Sequence, residues 1–135
     1  MRSHTILVAC SEVFRAELIA RCLQEAGYLT RTTILGHNAW QIMLKEQPML
    51  VVLDWNMPDL SSLAIVRRAR ETPRLEYLPI ILLGDEINDA QKVMALEAGA
   101  DLCLAEALQP KVLVARMRAL LRRVYAEPQI FDPAS

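Results

Sequence analysis

The run Val51-Val52-Leu53-Asp54-Trp55-Asn56-Met57-Pro58-Asp59-Leu60 decides how this chain is read. Branched apolar residues follow one another without a polar break, end on a carboxylate, and are stopped by a proline. Such runs are the habit of strands buried on both faces, which belong to parallel sheets. In an open parallel sheet, ligands collect just beyond the carboxyl ends of the strands, and Asp54 stands at that edge. On this stretch alone two roles are open to it. It is a functional carboxylate, or an aspartate that satisfies the amides of the turn behind it.

Four further strand-like runs alternate with helical ones. Thr5-Ile6-Leu7-Val8-Ala9 suits a central strand, and Ser11 is an N-cap candidate for the helix that follows. From Val13 to Ala26, Val13, Phe14, Leu18, Ile19, Cys22 and Leu23 recur at helical spacing, and Gly27 ends the helix. Leu29 to Leu35 is a weaker strand whose Thr30, Arg31, Thr32 and Thr33 suggest partial exposure. Gly36-His37-Asn38 turns into a helix over Ala39 to Glu46, closed by Pro48. Ser61 or Ser62 caps a third helix that reaches Arg70, with Leu63, Ile65 and Val66 on its apolar side. After a polar loop, Thr72 to Tyr77, comes the strand Pro79-Ile80-Ile81-Leu82-Leu83, ended by Gly84-Asp85. Asn88 or Asp89 starts a fourth helix to Ala98, which Gly99 ends; Leu102-Cys103-Leu104 is a short fifth strand. Pro110 suits the first turn of a last helix that runs to about Val124. About five strands alternating with five helices imply right-handed crossovers and a doubly wound α/β sheet with helices on both faces.

The 135 residues make one domain, and 53% apolar against 23% charged residues is globular rather than disordered. A net charge of −1 gives no electrostatic case for nucleic-acid or membrane binding by this segment. Cys10, Cys22 and Cys103 are an odd set without CxxC spacing, which argues against a disulfide framework or zinc site and fits a reducing cytoplasm. His4 and His37 have no neighbours that suggest a metal. No apolar run approaches the ~18 residues of a membrane span. Met1-Arg2-Ser3-His4 leads straight into a strand rather than a signal peptide. The tail from Tyr125 to Pro133 holds two prolines and no periodicity, so the expected layout is a domain over 1–124 and a linker over 125–135.

Leu53-Asp54 followed by Met57-Pro58, the Pro-Ile-Ile-Leu-Leu strand, and Glu97-Ala98-Gly99-Ala100-Asp101 resemble a response-regulator receiver domain from about Thr5 to Arg123. The last helix, with its lead Gln109-Pro110-Lys111, is similar to the OmpR/PhoB subfamily, in which a receiver precedes a winged-helix DNA-binding domain. The resemblance implies a flavodoxin-like (βα)5 sheet of strand order 2-1-3-4-5 and a signalling module rather than an enzyme. It also implies a sensor histidine kinase as input, DNA contact only through an output domain outside this chain, no membrane contact, and a homodimer.

The same resemblance makes Asp54 the phosphoacceptor position, which needs a metal and a cation around the phosphoryl group. This sequence departs from that set. The acidic pair after the first strand falls on Cys10 and Ser11, the hydroxyl ending the fourth strand on Gly84, and the lysine ending the fifth on Glu106. The proline that usually follows the lysine falls on Ala107, and the aromatic of the fifth strand on Cys103. Only Asp54, and Asn56 through its backbone carbonyl, keep the metal-binding pattern, with Glu12 as a recruit if the first loop bends. Mg²⁺ wants hard oxygen ligands including one or two carboxylates, so no cofactor is expected and any Mg²⁺ site is weak. Exchanging lysine for Glu106 turns attraction into repulsion, worth several kcal/mol at ~4 Å and an effective dielectric of ~20. Cys10 reads as a small buried hydrophobe at a strand end or as a sensing thiol.

The subfamily dimerises through its fourth helix, fifth strand and fifth helix, with three cross-subunit ion pairs. Glu97 and Arg118 keep the character of one. Lys92 keeps half of another, its acidic partner being Val112; Arg116 keeps half of the third, its partner being Leu102 with Asp101 adjacent but on the opposite side of the strand. Val112 and Leu102 make the face more apolar, which implies association that needs no phosphate.

Overall fold

The apolar runs become the strands of one parallel sheet. The computed structural model describes residues 4–105 and 109–125. The strands are β1 (Thr5–Ala9), β2 (Leu29–Thr33), β3 (Leu50–Asp54), β4 (Ile80–Leu83) and β5 (Leu102–Leu104), ordered β2-β1-β3-β4-β5. They alternate with α1 (Val13–Glu25), α2 (Gly36–Glu46), α3 (Ser62–Arg70), α4 (Asp89–Ala98) and α5 (Pro110–Tyr125). This is the flavodoxin-like doubly wound order expected from the sequence. β1 pairs with β3 from Ile6 opposite Leu50 to Ala9 opposite Leu53, and β3 with β4 from Val51 opposite Ile80 to Asp54 opposite Leu83.

Strand side chains alternate between faces, so each central strand feeds two cores. Leu7, Val51, Leu53, Ile80 and Leu82 pack beneath α2, α3 and α4. Ile6, Val8, Val52, Ile81 and Leu83 pack beneath α1 and α5. This double burial is why β3 and β4 read as continuous apolar runs rather than alternating ones.

Three local expectations are corrected. In α1 the buried stripe is Ala16, Ile19, Ala20 and Leu23, spaced i, i+3, i+4, i+7. Val13, Phe14 and Leu18 stand on the outer side, Phe14 at 77% exposure, because small alanines are what bring this helix onto the sheet. β2 stops at Thr33, two residues early, and α2 begins at Gly36 rather than Ala39. The reason is Asp59, far along the chain: its carboxylate accepts from the N–H of Gly36 (2.7 Å) and of His37 (3.0 Å), supplying the cap that Leu35 lacks. Finally, Tyr125 belongs to α5 rather than to the tail, and its hydroxyl donates to the Met49 carbonyl at 2.6 Å.

The caps of α3 and α4 are as expected. Ser61 accepts from the Ala64 N–H, and Asn88 and Gln91 form a reciprocal capping box. Away from the carboxyl edge, Arg70 ties three segments together. Its Nε donates to the Gly99 carbonyl (2.8 Å), Nη1 to the Leu78 carbonyl (2.7 Å) and Nη2 to Asp101 (3.0 Å). Gly99 has φ +120°, and a Cβ there would stand 2.6 Å from Arg70 Cγ, so the position takes glycine on two counts.

Two outcomes test this account. Arg70→Ala strands several partly buried carbonyls and Asp101, and is expected to lower stability by about 2–4 kcal/mol in chemical denaturation. Asp59→Ala is expected to lower the melting temperature at neutral pH. The His37 and Gly36 amides hold the Asp59 carboxyl below its ordinary value of 3.8. Its contribution is therefore complete above that value and is lost as pH falls through the lower folded pKa, so native and variant melts should converge in acid.

Candidate functional site: the carboxylate cleft at the carboxyl edge of the sheet

Because Ala9 pairs with Leu53, the residues that leave β1 are set down beside the residue that ends β3. Cys10 and Ser11 thus meet Asp54, which is 5% exposed. Asp54 Oδ2 accepts from Cys10 Sγ (3.3 Å) and from Ser11 Oγ (3.3 Å), while Oδ1 accepts from the Asn56 N–H (3.1 Å). Ser62 Oγ donates to the Asp54 backbone carbonyl at 2.5 Å, pinning the start of α3 to the end of β3. Ser11 is therefore not the cap of α1: Glu12 holds that position without a side-chain bond.

Arg15, in the first turn of α1, reaches into the same place. Its Nη1 lies 3.9 Å from Asp54 Oδ2, and its Nη2 lies 2.5 Å from Asp85 Oδ2 and 3.4 Å from Glu12 Oε2. These groups line a cleft of ≈ 460 Å³ that also takes in Trp55, Gly84 and Ile87. Cys10 is 2% exposed; burial pushes its thiol up to about 11, the Glu12 amide opposing and the Asp54 charge adding. At neutral pH it is a protonated donor and a weak nucleophile. Gly84 follows β4 directly, and a Cβ there would stand 2.7 Å from two carbons of the Ile87 side chain. Any hydroxyl-bearing residue at that position requires the Ile87 side chain to shift.

Cys10, Ser11, Glu12, Asp54, Asn56 and Gly84 thus lie together at this edge, and Glu106 lies outside the described residues. The Asn56 contact is its N–H, so the turn-amide role of Asp54 is real. Mg²⁺ does not fit this arrangement. It needs several hard oxygen ligands; Asp54 Oδ2 is engaged by a thiol and a hydroxyl, with a guanidinium behind them. Among the described residues no group of three or more His, Cys, Asp or Glu side chains converges as a metal set.

On the other expected face, Glu97 and Val112 are exposed and Lys92 and Leu102 half-buried, while Arg116 borders a groove with Leu102. Two members have partners within the chain. Asp101, on the opposite side as expected, accepts from Arg70 and from the Ile80 N–H (2.8 Å), because a buried strand-edge amide needs an acceptor. Arg118 Nη2 reaches the Ala26 carbonyl at the end of α1 (3.5 Å).

Sequence reasoning missed Arg15, Asp85 and Ile87 in the cleft, and the exposed Val93, Met94 and Leu96 on α4. An arginine four residues after Ser11 was the available signal for the first, since that spacing returns a helical side chain to the same edge.

The receiver-domain sequence model of response regulators matches residues 6–118. The phosphate regulon transcriptional regulatory protein PhoB of Pseudomonas aeruginosa is 33% identical over 123 residues, which is 91% of this chain and 54% of that protein. The transcriptional regulatory protein AfsQ1 of Streptomyces coelicolor is 36% identical over 113 residues, 84% of this chain and 48% of that protein. This chain therefore spans about half the length of the curated relatives it matches. The crystal structure of the signal receiver domain of a signal transduction histidine kinase from Syntrophus aciditrophicus superposes with a TM-score of 0.83 at 27% identity, covering 97% of this chain and 99% of that one. The same strand order, and the carboxylate at the end of β3, accompany a family match across most of the sequence: the chain belongs to the response-regulator receiver domains of two-component signalling.

Proposed function

We propose that this receiver works without phosphate, as a dimerisation module that sets the geometry of a DNA-binding output domain outside this chain. The observation that carries this reading is the set of internal donors on Asp54. Cys10, Ser11 and the Asn56 amide engage both carboxylate oxygens, and Arg15 stands behind them. A phosphoacceptor must present an oxygen to the incoming phosphoryl group with a cation alongside. Here the oxygens are spoken for, and the position that would hold a hydroxyl is Gly84 under Ile87. On this reading the domain is not an enzyme and has no cofactor, and a histidine kinase is not required for its output.

The surface of α4, β5 and α5 supports the dimer. Val93 (52% exposed), Met94 (45%) and Leu96 (51%) lie on α4 and Val112 (37%) on α5, with Leu102 between them. Single exposed apolar residues are ordinary, but four on α4 and α5, with the exposed Glu97, Lys111 and Arg116 on the same helices, have the mixed apolar and charged character of protein interfaces. A two-fold contact would bury the same patch from both copies. The matched segments are only 54% and 48% of the relatives named as transcriptional regulators, which supports an output domain beyond α5. Among the described residues no helix is long and apolar enough to cross a membrane; with the free cysteines, we place the protein in the cytoplasm.

One observation favours the alternative, phosphorylation of Asp54 by a histidine kinase: the carboxylate sits at the floor of an open cleft. Titration with Mg²⁺ and beryllofluoride separates the two. The expected result is no saturable binding and an unchanged dimer fraction in native and Asp54→Asn protein. Saturable binding that raises the dimer fraction, and that Asp54→Asn abolishes, overturns the proposal. The face is tested by Leu96→Glu. Exposed in the monomer, it should alter monomer stability by only about 0.5 kcal/mol. Across a two-fold it buries a charge twice, so sedimentation should show dimer affinity falling by at least ~10-fold.

A further inference from the structure

We infer that a cavity at the amino edge of the sheet is the docking site of the chain's own continuation, with Phe131 and Ile130 folding back from the end of α5 to fill it. The cavity measures ≈ 290 Å³ and lies between the turn after α2, the loop before β4 and the last turn of α5. Pro48, Pro73, Leu75, Leu78 and Val124 give it apolar walls. Small-molecule clefts span about 300–1,000 Å³, so a space of this size suits one or two side chains. Tyr77 also lines it and, at 83%, is the most exposed large apolar side chain among the described residues. An open aromatic beside the buried Leu75 and Leu78 is apolar surface that the fold through Tyr125 leaves uncovered.

The sequence singles out the occupant. The chain leaves from the cavity itself, since Val124 and Tyr125 line it and the Tyr125 hydroxyl is anchored to the Met49 carbonyl. Ala126 to Ser135 lie outside the described residues, and Ile130 and Phe131 are the only large apolar side chains among them. Pro128 has no amide hydrogen and biases Glu127 away from helical backbone, which favours a change of direction there. From Tyr125 to Phe131 the chain spans up to about 20 Å at ~3.3 Å per residue, ample to re-cross a cavity that Tyr125 already borders. Charge agrees as well. Glu127 and Asp132 flank the apolar pair, while Arg74 lines the cavity, is exposed, and pairs with no acid among the described residues. A segment tethered at the cavity's edge also acts at a high effective concentration that a second copy or a free ligand lacks. Seated in this way, the segment is a strap rather than a free linker, and it fixes the direction in which the chain departs.

The docking depends on neither the dimer nor the state of Asp54. It is tested in the 135-residue chain with Phe131→Ser, Tyr77→Ser and the pair together. Methyl resonances of Leu75, Leu78 and Val124, which lie beside an added ring in the docked state, are expected to shift on Phe131→Ser, while those of Val93 and Leu96 on α4 stay in place. Phe131→Ser is expected to lower the melting temperature by at least ~3 °C, where an unseated side chain would leave it unchanged. In the Tyr77→Ser background that loss should fall by at least ~2-fold, because residues in contact are not additive. Unmoved methyls, an unchanged melting temperature or the same loss in both backgrounds each overturn the inference. Shifts that appear only as protein concentration rises give the cavity to the tail of a second copy and overturn it too. Should Tyr77→Ser not fold, Arg74→Glu replaces it in the cycle with the same two readings. A chain that keeps the coupling yet binds beryllofluoride fails the proposed function alone; one that dimerises without phosphate and lacks the coupling fails this inference alone.

Discussion

A carboxylate at the end of a fully buried strand has to be satisfied by its neighbours, and much of this molecule's upper edge follows from that. Leu50 to Leu53 are at most 1% exposed, so Asp54 leaves the core with almost no access to water. An unpaired ion at such a depth costs far more than a domain of this size can spare. The chain answers with donors from two places, the thiol and hydroxyl that leave β1 and the amide two residues on, and with the charge of the α1 guanidinium 3.9 Å away. Parallel pairing of β1 with β3 is what makes the first two available, because it sets both strands down at the same edge.

On the function proposed above, that solution differs from the one a phosphorylated receiver needs. A phosphoacceptor pocket keeps its acid exposed to a dication and surrounds the incoming group with a hydroxyl and a lysine. Here small uncharged donors replace the acidic pair, Gly84 sits beneath Ile87, and an arginine fills the space between the carboxylates. The protonated Cys10 belongs to this arrangement: burial keeps it a thiol, and a thiol can donate to Asp54 where a carboxylate would repel it. The loops after β1, β3 and β4 are joined by charge contacts within the chain.

Beyond the cleft, interactions over long sequence separations decide which charges remain for partners. Asp101 is drawn in by Arg70 and the Ile80 amide, and Asp59 is spent on the first turn of α2. What remains exposed on α4 and α5 includes Val93, Met94, Leu96 and Val112, together with Glu97, Lys111 and Arg116. The polar accounting inside the domain thus shapes the surface outside it.

Periodicity and punctuation in the sequence determined the class of fold, the number and order of elements, and the placing of Asp54 at the end of β3. These depend on local spacing: unbroken apolar runs for strands buried on both faces, and glycine, serine or asparagine at helix ends. That Cys10, Ser11 and Gly84 stand at the same edge as Asp54 was legible too, because the ends of parallel strands fall together. Only the tertiary structure decided which face of α1 is buried, that Asp59 caps a helix more than twenty residues before it, that Arg15 turns into the cleft, and that Asp101 binds Arg70 and the Ile80 amide. Each is a choice among partners distant in sequence, settled by which amides and carboxylates packing had already buried, and no local pattern encodes that.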